Sequence, residues 1–146
     1  MSINAIVMIA TASLGTQCVV LGLLALGFGY KRRLQYRKHG SIMSLAVAIH
    51  AFSIFLVMVP SFNVIINPAY VLPEPSRLIY VAGIVHAITG VAAFLLGLWL
   101  VVAWHFGSNI KGCIGRKRFM LATFTLWVTA IILGAFLFAV FYAPLL

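Results

Sequence analysis

The chain has 146 residues, 64% hydrophobic and 8% charged, with a net charge of +9 and a mean hydropathy of +1.18. That composition excludes a water-soluble globular domain and makes the bilayer the solvent. A span needs about 20 apolar residues to cross a hydrocarbon core of roughly 30 Å, so the length accommodates four or five spans and no separate soluble domain.

The first apolar run, residues 3–30, is too long for a signal-peptide core, and its positive charge follows it rather than precedes it. It is expected to be a retained helix. Next comes Lys31-Arg32-Arg33-Leu34-Gln35-Tyr36-Arg37-Lys38-His39, a short basic loop, and then a second span over about residues 42–66. Residues 67–77 hold Pro68, Pro73, Pro75 and the sole acidic residue, Glu74, so this segment reads as a loop that its prolines keep from helical form. A third span covers 78–106, a second basic loop with Lys111, Arg116, Lys117 and Arg118 follows, and a fourth span covers 119–142.

Five Lys or Arg in the first basic loop and four in the second stand against Arg77 alone in the intervening loop. The positive-inside rule then places both basic loops in the cytoplasm and both termini outside. The expected architecture is all-α: one transmembrane domain over 1–146, a four-helix up-down-up-down bundle, without internal repeat or low-complexity segment. The charge is explained by topology, so the expected surroundings are the lipid bilayer and neighbouring membrane proteins, with no nucleic acid. Cys18 lies within the first span and Cys113 in the second basic loop, and both are expected to be free thiols.

An apolar bundle needs no ionisable residue in its spans, so intramembrane histidines call for a reason. There are four, His39, His50, His86 and His105. At 100° per residue, His39, Met43, Ala46 and His50 fall on one stripe of the second span. On the third span Gly83, Gly90 and Gly97 repeat every seven residues, with His86 close to their line. A glycine seam admits the close approach of a helix or of a flat cofactor. His50 lies roughly 13 Å from the inner edge and His86 roughly 12 Å from the outer edge at 1.5 Å per residue, which puts them at similar depth in a 30 Å core. Paired imidazoles there suit axial ligation of haem b, the macrocycle resting on Gly83 and Gly90.

His39 and His105, both near the basic edge, suggest a second pair for haem or for copper or zinc. The two pairs differ in axial spacing by roughly 12 Å, so both cannot be in ideal register unless one helix ends or tilts early. Each histidine has a plainer reading: His39 and His105 as interfacial anchors, His50 and His86 as neutral imidazoles bonded to a neighbouring helix. Met43 and Met58 read as packing rather than soft-metal ligands, and Trp99, Trp104 and Trp127 as interface and bundle packing. No nucleophile–base pair, phosphate loop or carboxylate dyad occurs, which argues against a stand-alone enzyme and against a carboxylate proton pump. The basic loops could also bind anionic lipid or an acidic partner face.

Arg37-Lys38-His39 with Met43, Tyr80 through His86, and Arg116-Lys117-Arg118 leading to Leu126-Trp127, Gly134 and Tyr142 resemble the four-helix membrane proteins grouped as domain of unknown function 420. The resemblance covers most of the chain from Arg33 onward. It implies a small accessory protein of the respiratory chain, associated with haem–copper oxidases and their assembly or haem maturation, in a prokaryotic cell membrane. His39 and His86 would be the family histidines. Gly115 and Arg116 stand where the family pattern expects a further histidine, while His50 and His105 are additional. Two functions follow as expectations: a haem- or metal-binding subunit linked to electron transfer, or a cofactor-free accessory or assembly subunit of a larger membrane redox complex.

Overall fold

The computed structural model describes residues 3–60, 77–106 and 115–141. These form four helices: α1 (Ile3–Arg32), α2 (Tyr36–Ser53), α3 (Arg77–Phe106) and α4 (Lys117–Phe141). A π turn, Ile54–Met58, carries α2 onward to Pro60. The fold is all-α, and each of the four helices is long and apolar enough to cross a membrane, over Val7–Arg32, Tyr36–Met58, Val81–Phe106 and Lys117–Phe141. The chain is an integral membrane protein. Its outer faces are correspondingly apolar: Leu56, Leu78, Leu95, Leu121 and Ile132 are all exposed, as lipid-facing side chains must be. The proline-containing segment 67–76, with Glu74, and residues 107–114, with Lys111 and Cys113, lie outside the described residues, as do the expected end of the second span and both termini.

α1 packs most extensively on α2 and α3 on α4, while α2–α3 and α1–α4 contacts close the ring. Along every neighbouring pair, residue numbers rise on one helix as they fall on the other. Gln17 meets Ser53 and Gly27 meets His39; Gly40 faces Trp104 and Gly97 faces Val47; Trp99 meets Phe119 and His86 meets Ala130; Phe28 meets Phe124. One end of the bundle therefore gathers Lys31, Arg32, Arg33, Arg37, Lys38, Arg116, Lys117 and Arg118. The core is Val20 and Leu24 of α1, Ala46 and Val47 of α2, Ala93 of α3 and Trp127 of α4. Alanine on two of the four helices lets their backbones close in, and Trp127 fills the space that remains.

The second helix begins at Tyr36, six positions before the expected 42, because the reversal after α1 is tighter than a nine-residue basic loop. Leu34 adopts φ 57°. The Leu34 N–H bonds Lys31 O at 3.1 Å and the Gln35 N–H bonds Tyr30 O at 3.0 Å, the paired bonds of a Schellman ending. The carbonyls of the last turn of α1 are thus satisfied without extra chain, and Arg37 and Lys38 start a helix instead of lying in a loop. Their charge does not oppose this, since both side chains are exposed and Lys38 Nζ sits 5.7 Å from the Tyr30 ring centre.

The π turn has its cause in Pro60. A proline ring in a regular helix collides with the carbonyl four residues earlier and supplies no N–H to it. Widening the preceding turn, in which the Val59 N–H bonds Ile54 O, moves that carbonyl out of line. Hydroxyl groups within the spans are handled locally: Thr11, Thr16, Ser44, Thr89, Thr123, Thr125 and Thr129 each bond the carbonyl four residues before them. That removes the cost of an unpaired O–H in lipid.

Candidate functional site: the intramembrane histidines

The stripe expected on α2 lies inward. His39, Ala46 and His50 are buried, and Met43 lines a cavity of about 80 Å³ together with His39, Lys31, Trp104, Met120 and Trp127. The four histidines nevertheless have four different surroundings. His39 Nδ1 donates to Gly27 O on α1 at 2.8 Å. A carbonyl can only accept, so this bond fixes the Nδ1–H tautomer and leaves the Nε2 lone pair free. A Cβ at Gly27 would run into the terminal methyl of Met43 but lie 3.6 Å from the His39 ring, an ordinary contact, so the approach of His39 does not depend on glycine there.

His86 repeats the arrangement between α3 and α4. Its Nδ1 donates to Ala130 O at 2.9 Å, and the ring rests on Gly134, where a Cβ would stand 3.0 Å from His86 Cε1. His105 turns back on its own helix, with Nδ1 bonded to Val101 O at 2.9 Å, and is exposed. It shares no partner with His39, which faces α1, so the suggested second pair is not brought together.

His50 differs from the other three. It is 2% exposed, its ring centre lies 4.6 Å from that of Trp127 and 6.4 Å from that of Phe94, and neither ring nitrogen has a hydrogen-bond partner among the described residues. Trp127 Nε1 and Gln17 Oε1 are also buried without a partner. Gln17 uses its Nε2 to donate to Ser53 Oγ at 3.0 Å, and Ser53 is one turn beyond His50 on the same helix.

This geometry does not fit haem b held between His50 and His86. Axial ligation needs two imidazoles facing one another across a slot, whereas the His50 ring lies against Trp127, with Phe94 further off, and His86 is held by its Nδ1 to α4. Gly83 and Gly90, expected to cradle the macrocycle, have no described side chain or backbone within 4 Å of where a Cβ would be; Gly97 alone of the seam is packed, against Val47, Trp127 and Thr123. The cavity at the basic end is far smaller than the roughly 300–1,000 Å³ of pockets that enclose drug-sized ligands. For copper or zinc, no three of His, Cys, Asp and Glu converge among the described residues.

The basic end is braced by cations over aromatic rings. Arg116 donates from Nη1 to Ala103 O at 3.2 Å and lies 5.6 Å from the Trp99 ring centre. Lys31 Nζ lies 5.6 Å from the Phe28 ring centre and 3.7 Å from Met120 Sδ. These contacts tie the end of α3 to the start of α4 and the end of α1 to α4.

Comparison of the chain with protein-family profiles, curated proteins and solved structures returns no match. What the histidines do is therefore read from the side chains themselves. The sequence does not single out Gln17 and Gly27, and it marks Trp127 only as packing and as part of the resemblance. Gln17 could have been found, as a lone amide in the middle of an apolar span. Trp127 carried no further signal, because nothing in its neighbourhood tells an indole that covers a histidine from one that fills space.

Proposed function

We propose that this chain is a cofactor-free accessory or assembly subunit of a larger membrane redox complex, and that its histidines serve helix pairing rather than haem ligation. The observation that carries this reading is the commitment of the rings: His39 and His86 each bond a carbonyl of a neighbouring helix, His105 bonds its own, and His50 is closed in by Trp127. Interhelical bonds of this kind are one of the main sources of helix association in lipid, where apolar burial gives none. The redox assignment comes from the resemblance to the domain 420 proteins. In this reading the basic end lies on the cytoplasmic side of a prokaryotic membrane.

The test is a reduced-minus-oxidised visible spectrum with metal analysis on protein purified from cells supplied with haem. The expected result is a featureless spectrum and no stoichiometric metal. A sharp α-band that disappears in both His50→Ala and His86→Ala would refute the proposal and restore bis-histidine haem ligation.

One observation favours a second reading. A ring whose Nδ1–H is held by a carbonyl is in the arrangement in which proteins hold ligand histidines, and both His39 and His86 are held so. In that case this chain supplies a single Nε2 ligand to a copper or zinc ion whose other ligands come from the partner. Metal bound by the complex, absent from the isolated chain and lost on His39→Ala or His86→Ala, would decide for it.

A further inference from the structure

Four polar atoms are sealed in the middle of the bundle without partners among the described residues: Gln17 Oε1, His50 Nδ1, His50 Nε2 and Trp127 Nε1. They belong to three side chains on three helices, exposed by only 7%, 2% and 2%. Native interiors leave few such atoms, and a group of them points to an unseen water or ion. The chemistry of the set tells which. A neutral imidazole has one N–H and one lone pair, the indole offers an N–H, and the amide oxygen only accepts. The unmet groups are thus two donors and two acceptors. A metal ion would leave both N–H groups unpaired, and an anion would leave both acceptors unpaired. Water satisfies all four.

Spacing agrees with this. Ser53 accepts from Gln17 Nε2 at 3.0 Å and sits one turn from His50, which holds Gln17 against the face of α2 that carries His50. Trp127 forms the wall between His50 and the cavity of about 80 Å³ that opens toward Lys31 and His39. That cavity has room for several waters on the far side of the indole.

We propose that Gln17, His50 and Trp127 enclose a bound-water site at mid-bundle, two waters linking the three side chains, and that these waters make His50 a proton-exchanging group inside the membrane. In a chain with one acidic residue, His50 is then an intramembrane side chain, with His86 near it, whose ring N–H exchanges with bound water. The inference stands apart from the proposed accessory role, which could fail while the water site remained.

The experiment is solution NMR on the whole chain in lipid nanodiscs, with ¹⁵N-labelled histidine and tryptophan. Cross-relaxation with water is expected at the Trp127 indole N–H and the His50 ring N–H, together with exchange of the His50 proton for deuterium in minutes to hours. Absence of water contact at both, with protection lasting days, would overturn the proposal. Trp127→Phe gives a second sign, because it keeps a six-membered ring against His50 and removes the N–H donor; it also removes part of the indole's volume, so its readout is the His50 water contact and not stability. If water links the two side chains, this variant loses the His50 water contact, and an unchanged contact would count against the shared site.

Discussion

The closest test of the packing is a glycine series read by one measurement. At Gly40 an added Cβ would meet the Trp104 indole at its Cε2 and Nε1 atoms. That ring is wide and rigid, so the helices must part. Overpacking of this kind costs about 1–3 kcal/mol, against which alanine regains up to about 1 kcal/mol of helix propensity over glycine. Gly40→Ala is therefore expected to destabilise the bundle by about 1–2 kcal/mol. Gly27→Ala makes a contact just as close on paper, but with the terminal methyl of Met43, the end of a chain with three rotatable bonds that can swing into the adjacent cavity. Its net effect is expected to lie within about 0.5 kcal/mol of zero. Gly83→Ala and Gly90→Ala meet no described atom within 4 Å and should stabilise the isolated protein by up to about 1 kcal/mol each. The assay is unfolding of purified protein in mixed micelles by increasing fractions of sodium dodecyl sulfate, followed by tryptophan fluorescence. A Gly40→Ala protein as stable as its parent, or a Gly27→Ala protein that loses as much as Gly40→Ala, would refute the reasoning.

The same unfolding assay checks three further expectations. Leu34 holds φ 57° without being a glycine; relief of about 1–2 kcal/mol of left-handed strain less the entropy cost of glycine makes Leu34→Gly more stable by about 0.5–1 kcal/mol. His39→Ala should lose about 1–3 kcal/mol, through the bond to Gly27 O and the buried ring, and His39→Gln, which keeps an N–H donor, should recover part of it. Arg116→Gln should cost about 0.5–2 kcal/mol by removing the bond to Ala103 O and the cation over Trp99, and the loss should persist in high salt, because neither contact is an ion pair.

How much of this was readable from sequence differs by element. The four spans were legible because lipid imposes a length and an apolar composition that few other structures share. The inward stripe on α2 was legible because His39, Met43, Ala46 and His50 keep helical spacing. The start of α2 was not, since basic residues argue for a loop only when the reversal needs that many residues, and a Schellman ending at Leu34 needs three. Sequence spacing placed His50 and His86 at similar depth but said nothing of which neighbour each ring would face. That depends on rotation about the helix axis, which is set by where Gly134 admits the His86 ring and where Trp127 covers His50. The Gly83–Gly90–Gly97 seam looked uniform in the sequence, yet only Gly97 is packed within the chain. Equal spacing along one helix says nothing about whether a neighbour is within reach at every step.

The π turn at Ile54–Met58 also changes how the chain counts. A turn closed five residues apart instead of four holds one residue more than its neighbours, so the side chains beyond it are out of phase with those before it by about the 100° that one helical residue occupies. Two frames of reference meet on a single helix: the one that aims His39, Ala46 and His50 inward ends at Ser53, and residues 59 and 60 obey another. Deleting one residue elsewhere in α2 would swing every later side chain to a new face. Deleting one within residues 54–58, with Pro60 replaced so that a regular turn is tolerated, would instead erase the offset and leave both faces where they are.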